Sequence, residues 1–256
     1  MPKMINLTVD FASKALGHST QIKVLIPQDD LDEKNVKPHR TLLLLHGLSD
    51  DHTQWGRFTS IERYAAELHY AVIMPNALKS WYTDAVIGDR YAEFIYNEVP
   101  AFCRMTFRML SDKREDNFIA GLSMGGYGAL KGALLYPERY AACACFSSAV
   151  DFLPRWREFG ENSLNNLFGS PDEFEGSDND VLSLIPRTAA SDKPKPRFYV
   201  SCGTEDWLLP DSRKIRDLLT ENGYDAYYSE SAGRHDWLFW DAEIEKALKF
   251  FKNCPF

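Results

Sequence analysis

A chain of 256 residues with 45% hydrophobic and 13% aromatic side chains can bury a sizeable core, which excludes a disordered or fibrous protein. The formal net charge is −8 and no run of Lys or Arg exceeds two residues, so nucleic acid and anionic membrane surfaces are disfavoured as partners. The amino terminus lacks the apolar core of a signal peptide and no later apolar stretch approaches bilayer length, so we expect a cytoplasmic protein.

The amino-terminal half alternates strand-like and helix-like segments. Residues 4–10 and 20–27 have the composition of strands, and the second segment ends at a proline. The apolar runs 42–45 and 71–74 predict strands that are covered on both faces. Between them, residues 60–68 place their apolar side chains on one helical face. This alternation favours parallel strands joined by helices.

The carboxyl-terminal half continues the same alternation. A long helix is predicted over residues 91–109, and Pro100 is expected to kink or interrupt it. Further strands are predicted at 118–120, 141–148, 198–200 and 226–229, and further helices directly after the first of these and at 211–222 and 236–252.

Residues 151–193 differ from the rest because aromatic and apolar residues are interspersed with Gly, Pro, Asn and Asp without a sustained period. We interpret them as an insertion with short helices over the carboxyl edge of the sheet, in the position of a cap or substrate-side wall. No repeat or long linker divides the chain. The sequence therefore predicts one α/β domain over residues 1–256, with a mainly parallel central sheet, helices on both faces and a ligand site at the carboxyl ends of the strands.

The pentapeptide Gly121-Leu122-Ser123-Met124-Gly125 lies between an apolar run and a helical segment. In that setting G-x-S-x-G is typical of a nucleophile elbow, a strained turn that holds the serine hydroxyl out at the edge of the sheet. Glycine two residues to either side lets strand and helix approach closely. The alternative is a glycine-rich turn that only joins the two elements. The elbow interpretation makes Ser123 the candidate nucleophile and predicts an α/β-hydrolase fold.

A serine nucleophile needs a general base within hydrogen-bond reach and a carboxylate that orients the base. In hydrolases of this type the acid and then the histidine follow the serine along the chain. His235 is the one histidine of six that follows Ser123, and it lies in a loop before the last predicted helix. The loop after the strand at 198–200 offers Glu205 and Asp206, and the pattern does not separate these two acids.

Two backbone N–H groups are expected to bind the oxyanion. The first belongs to Met124, the residue after the nucleophile. The second should come from the loop after the strand at 42–45, where Leu48 follows the turn at His46-Gly47. His46 precedes the serine in the chain, so we interpret it as a brace for this loop rather than as the base.

Three aromatic residues, Trp81, Tyr82 and Trp207, lie on loops near the predicted site. Packing is the default role of any single aromatic residue. The predicted position of Trp81 and Trp207 at the carboxyl edge also suits an apolar acyl or aryl pocket. We therefore treat all three as candidate substrate contacts.

Several separated motifs together resemble the esterase D group of α/β-hydrolases, and within it the bacterial tributyrin esterases. These are related to S-formylglutathione hydrolases and to acetylxylan and feruloyl esterases. The motifs that carry the resemblance are Leu-Leu-His-Gly-Leu at 44–48, Trp-Tyr-Thr-Asp at 81–84, Ala-Gly-Leu-Ser-Met-Gly-Gly-Tyr-Gly at 120–128, Cys-Gly at 202–203 with Asp206, and Gly-Arg-His-Asp-Trp at 233–237.

The resemblance implies a catalytic triad of Ser123, Asp206 and His235, which selects Asp206 over its neighbouring acid. It also implies an oxyanion hole at the amides of Leu48 and Met124, and relatives that are often dimers or tetramers. S-formylglutathione hydrolases usually carry a cysteine soon after the His-Gly-Leu turn, whereas here the chain continues Ser-Asp-Asp-His. That departure favours short-chain carboxylic esters over glutathione thioesters.

The sequence thus predicts a serine carboxylesterase that hydrolyses a small-molecule ester with short acyl chains through an acyl-enzyme, without cofactor or metal. One alternative keeps this chemistry and changes the substrate to acetyl or feruloyl groups of plant polysaccharide or to S-formylglutathione. Another is a non-catalytic binding protein on the hydrolase scaffold, which typically lacks a triad member.

Overall fold

The computed structural model describes residues 3–28 and 38–253. The strands within these ranges are β1 (Lys3–Ala12), β2 (Ser19–Gln28), β3 (Arg40–Leu45), β4 (Tyr70–Pro75), β5 (Asn117–Leu122), β6 (Ala142–Phe146), β7 (Arg197–Gly203) and β8 (Ala226–Ser231). They form an eight-stranded sheet in the order β1-β2-β4-β3-β5-β6-β7-β8. β2 is antiparallel to both of its neighbours, whereas all pairs from β4 to β8 are parallel.

Helices occupy the connections between the strands. They are α1 (Gln54–Phe58), α2 (Ile61–Leu68), α3 (Tyr91–Glu93), α4 (Val99–Thr106), α5 (Met124–Leu135), α6 (Glu161–Phe168), α7 (Pro171–Phe174), α8 (Val181–Ala189), α9 (Leu209–Glu221) and α10 (Trp237–Lys252). Short 3-10 turns lie at Arg114–Asp116 and Leu153–Arg155. Across the described part of the chain, no helix combines the length and apolar character needed to cross a membrane.

Apolar side chains fill both faces of the sheet. In β3, Leu43 and Leu45 face a core formed with α5, α8 and α9, whereas Leu42 and Leu44 face a second core formed with α2 and α10. Successive side chains of a strand point to opposite faces, so a strand covered on both sides is apolar throughout. The predicted α/β-hydrolase architecture, a mainly parallel sheet with helices on both faces, is confirmed.

The predicted helix over 91–109 differs from the structure in two ways. It ends at Thr106, and residues Phe94–Glu98 form a π-helical turn directly before α4. Pro100 has no N–H to offer the carbonyl of Tyr96, and its ring would crowd that carbonyl in a regular α-helix. The Tyr96 carbonyl instead accepts a hydrogen bond from Arg139 Nη1 at 2.8 Å. The regular α-helix is therefore interrupted, as expected, by one widened turn directly before Pro100, and α4 continues from it.

Residues 151–193 contain the short helices α6, α7 and α8, as the irregular sequence predicts. Their inward side includes Phe168 and Phe174, whose rings pack on Phe152, and Phe152 in turn contacts Tyr127 of α5. The Tyr127 hydroxyl donates to the carbonyl of Asn179 at 2.7 Å. The segment is therefore joined by aromatic packing and a partly buried hydrogen bond to the helix that follows the candidate nucleophile.

Candidate active site

Ser123 lies in a strained turn between β5 and α5. Its φ is 53° and its ψ −117°, a backbone conformation that residues other than glycine rarely adopt. A Cβ at Gly121 would stand 2.2 Å from the carbonyl oxygen of Gly125, and a Cβ at Gly125 would stand 2.5 Å from the carbonyl oxygen of Leu45. Both glycines are required by close backbone approach, which matches the nucleophile-elbow interpretation of the pentapeptide.

The structure brings Ser123, His235 and Asp206 into one hydrogen-bonded line. His235 Nε2 lies 3.1 Å from Ser123 Oγ, and His235 Nδ1 lies 2.9 Å from Asp206 Oδ2. An ionised carboxylate only accepts hydrogen bonds, so Nδ1 carries the ring proton in this pair. The lone pair of Nε2 is then directed at the serine hydroxyl, which is the arrangement a general base requires.

Asp206 is buried and held in its ionised form. Burial alone would raise the pKa of this carboxyl, but hydrogen bonds from His235, from the Leu208 N–H at 2.9 Å and from Ser147 lower it below its ordinary value. The other acid of the loop, Glu205, is exposed and pairs with Arg234 at 3.0 Å. The two acids that the sequence pattern left open therefore have different environments, and only Asp206 contacts the histidine.

The loop after β3 is braced by a neutral histidine. His46 Nδ1 donates to the carbonyl of Gly47 at 2.8 Å, and His46 Nε2 accepts from the N–H of Ala77 at 2.9 Å. Burial lowers the pKa of His46 to about 4, so the imidazole keeps one donor and one acceptor at neutral pH. His46 thus has the bracing contacts expected from its place in the sequence.

Leu48 follows this brace in a tight turn. The N–H of Asp50 donates to the carbonyl of Gly47 at 3.3 Å, and the Asp50 carboxylate accepts from the Gly47 N–H at 3.1 Å. Met124, the second expected oxyanion donor, is the first residue of α5. The first N–H groups of a helix have no intrahelical acceptor and point outward from its positive end. Both backbone positions remain predictions for an oxyanion hole.

The three aromatic candidates have different environments. Trp207 is 57% exposed and its ring centroid lies 5.6 Å from that of His235, so it stands at the mouth of the site. Trp81 is 4% exposed and packs edge-on against Phe159. Tyr82 has no exposed surface and donates its hydroxyl to the carbonyl of His46 at 2.8 Å. The expectation of a substrate contact at Tyr82 is corrected, because this side chain holds the loop after β3 from within the core.

Lys131, two turns after Ser123 in α5, has a role that the sequence reasoning missed. Its buried Nζ donates to the carbonyl of Tyr82 at 3.1 Å and to Asn179 Oδ1 at 2.6 Å. The same amide oxygen accepts from Thr83 Oγ1 at 2.6 Å. One lysine of α5 therefore joins this helix to the loop that carries Tyr82 and Thr83 and to the segment 151–193. A single Lys in a helix is usually exposed, so the sequence carried no signal for this contact.

The buried charge of Lys131 predicts a pH-dependent stability. Burial lowers the pKa of Lys131 from 10.5 to about 7, so between these values the unfolded chain binds more protons than the folded one. Stability from this residue then rises with pH across that window. We expect the free energy of unfolding of the wild type, relative to Lys131→Met, to increase by about 2 kcal/mol from pH 7 to pH 9. Urea unfolding of both proteins measures this difference, and a pH-independent value would contradict it.

The fold and this serine–histidine–aspartate geometry define an α/β-fold serine hydrolase. A model of the family described as "Putative esterase" matches residues 13–251, and the chain belongs to that family. The acetyl esterase of Caldicellulosiruptor saccharolyticus is 32% identical over 269 residues, which cover 98% of this chain and 99% of that protein.

Two solved structures from Staphylococcus aureus are similar over almost the whole chain. One is FphF, a fluorophosphonate-binding serine hydrolase with substrate bound, at 34% identity and a TM-score of 0.92, covering 98% of this chain and 99% of that one. The other is the S-formylglutathione hydrolase FrmB without ligand, at 34% identity and a TM-score of 0.90, covering 98% of this chain and 100% of that one. These similarities agree with the hydrolase class, but the relative named acetyl esterase and the structure named S-formylglutathione hydrolase state different substrates.

Proposed function

We propose that this protein is a cofactor-free carboxylesterase that hydrolyses short-chain acyl esters, with Ser123 as nucleophile, His235 as general base and acid, and Asp206 as the group that orients the histidine. The observation that carries the proposal is the continuous line of two hydrogen bonds from Ser123 Oγ through His235 to Asp206. Each group has the chemical state that its role demands: a lone pair on Nε2, a proton on Nδ1 and an ionised carboxylate.

The reaction would run in two halves. Ser123 Oγ attacks the ester carbonyl carbon while His235 Nε2 accepts the hydroxyl proton, and the N–H groups of Leu48 and Met124 stabilise the oxyanion. The bond to the alcohol then breaks, and His235 gives its proton to the departing oxygen. Water attacks the acyl-enzyme with His235 again as base, which releases the acid and restores the serine. Asp206 stabilises the imidazolium in both halves.

Short acyl esters are favoured as substrates by two observations. The similar protein from Caldicellulosiruptor saccharolyticus is named an acetyl esterase, and after the His-Gly-Leu turn this chain continues Ser-Asp-Asp-His rather than with the cysteine usual in S-formylglutathione hydrolases. Within the esterase family we place the chain with the tributyrin esterases, on the motifs that carry that resemblance, and expect it to act in the cytoplasm.

S-formylglutathione is the second candidate substrate. It is favoured by the similarity to the structure named S-formylglutathione hydrolase, and the proposed mechanism is the same for an ester and a thioester. Against it stands Asp50, half-buried in the turn that carries Leu48. A carboxylate at this place repels the carboxylates of a glutathione leaving group, so we rank neutral esters first.

Two measurements test the proposal on the wild-type protein. Incubation with a fluorophosphonate should add one covalent label, and peptide mapping should locate it at Ser123. A panel of p-nitrophenyl acetate, butyrate and octanoate, triacetin, methyl ferulate, acetylated xylo-oligosaccharide and S-formylglutathione at matched concentration should give the highest kcat/KM for the acetyl or butyryl esters. Label on another residue would refute the nucleophile, and a highest value for the glutathione thioester would select the second candidate.

A further inference from the structure

The turn that follows β6 contacts the backbone of the nucleophile. The N–H of Ser123 donates to the carbonyl of Phe146 at 2.9 Å, and the carbonyl of Ser123 accepts from Ala149 at 3.4 Å. Between them lies Ser147, whose φ is 47°. This left-handed conformation ends the strand that the sequence predicted to continue to residue 148, and strain of this kind persists only where surrounding contacts enforce it. The Ser147 N–H is held by the carbonyl of Ser201 in β7 at 2.9 Å.

The strained turn places the Ser147 side chain, which is fully buried, against Asp206. Trp240 Nε1 donates to Ser147 Oγ at 3.2 Å, and an indole N–H is a donor only. The serine oxygen is therefore an acceptor toward Trp240, which leaves its own proton for the Asp206 carboxylate. Burial raises the pKa of Asp206, whereas the contacts with His235 and the Leu208 N–H lower it, and the Ser147 hydrogen bond acts in the same lowering direction with a smaller effect.

Trp240 also contacts the imidazole of His235, the partner of Asp206. Its ring centroid lies 4.9 Å from that of His235, with the two planes at 89°. This edge-to-face contact limits rotation of the imidazole. Trp240 belongs to the first turns of α10, directly after the loop that carries His235. One side chain thus restrains the imidazole by packing and reaches the carboxylate through Ser147.

Donors on Asp206 are distributed so that the carboxylate cannot turn freely. Oδ2 faces His235 Nδ1 and Oδ1 accepts from the Leu208 N–H, and the Ser147 hydroxyl, in the turn after β6, adds a third donor that lowers the pKa of Asp206. We propose that Ser147 and Trp240 are positioning residues of the site, which hold the Asp206 carboxylate at the angle that keeps His235 Nε2 directed at Ser123. This inference rests on the proposed function, because it presupposes that His235 is the base.

Ser147→Ala tests the inference most directly, because it removes the hydroxyl and keeps the Cβ in the strained turn. We expect kcat for p-nitrophenyl butyrate to fall about tenfold with KM unchanged, since Asp206 orients the base and does not bind the ester. The matched control is Ser201→Ala, a buried serine of β7 whose hydroxyl has no hydrogen-bond partner within the described ranges. This control should keep the wild-type kcat, and thermal unfolding checks that both variants are folded.

A double-mutant cycle separates positioning from a general structural effect. In an Asp206→Asn background, Ser147→Ala should cost nothing further, because the group through which it acts is already lost. Trp240→Phe keeps an aromatic ring beside His235 and removes the N–H donor, while Ser147 can still donate to Asp206, so this variant should lower kcat less than Ser147→Ala does. Equal tenfold losses in both backgrounds would overturn the inference.

Ser123→Ala, assayed in parallel, separates failure of the inference from failure of the proposed function. An active Ser123→Ala protein would refute the proposed function itself. An inactive Ser123→Ala protein together with a wild-type kcat for Ser147→Ala would refute the positioning inference alone.

Discussion

Ser123→Ala is expected to lower kcat towards p-nitrophenyl butyrate by at least about ten-thousandfold while leaving the protein folded. The substitution removes the only atom that can form the acyl-enzyme, and no step of the proposed reaction proceeds without it. Stability should change little, because alanine has the same Cβ in the same left-handed conformation and, among the described residues, the hydrogen-bond partner of Ser123 Oγ is the partly exposed His235.

His235→Ala should lose activity to a similar extent, and the double variant Ser123→Ala/His235→Ala should lose no more than either single variant. Groups that act as one unit give such non-additive losses. Steady-state kinetics of the three purified variants, each expressed in a host lacking background esterase, provides the measurement. Losses that multiply in the double variant would show that the serine and the histidine act in separate steps.

The elbow could be predicted because its residue pattern is local, with glycines two positions to either side of Ser123. Gly121 is needed by a contact inside the pentapeptide, with the carbonyl of Gly125, whereas Gly125 is needed by its approach to the carbonyl of Leu45 in β3. The histidine could be predicted from chain order, since only His235 follows the serine. The acid of the triad was harder to predict from the residue pattern, because Glu205 and Asp206 are neighbours in one turn. Which of them points inward depends on that turn's conformation, and residue type alone does not specify it.

Apart from His46, the residues that support the candidate site could not be predicted, because no short-range pattern marks them. Tyr82 reaches the carbonyl of His46 across 36 positions of the chain, and Trp240 reaches Ser147 across 93. In the sequence Lys131 resembles a surface lysine of a helix, and only the folded structure shows that Tyr82 and Asn179 bind its Nζ. Roles of this kind arise from tertiary packing, so a single sequence contains the side chains but not their partners.

Gly121→Ala should be strongly destabilising, and a loss of more than about 4 kcal/mol in the free energy of unfolding is expected. The added Cβ would lie 2.2 Å from the carbonyl oxygen and 2.4 Å from the carbonyl carbon of Gly125. These are backbone atoms of the first turn of α5, and Gly125 is itself pressed against the carbonyl of Leu45 in β3. Neither β5 nor α5 can move away without disrupting the packing of the other, so the structure cannot relax around the added Cβ.

Gly56→Ala is the matched control for this prediction. Gly56 lies in α1, and its added Cβ would meet only Lys23 Cε at 3.9 Å, an ordinary contact with the end of a flexible side chain. Alanine is the better helix former by about 1 kcal/mol, so this variant should be as stable as the wild type or slightly more stable. Urea unfolding of both variants measures the contrast. If the free energy of unfolding of Gly121→Ala lay within about 1 kcal/mol of the wild-type value, β5 and α5 could move apart at the elbow. The surrounding contacts would then not enforce the strained backbone conformation of Ser123.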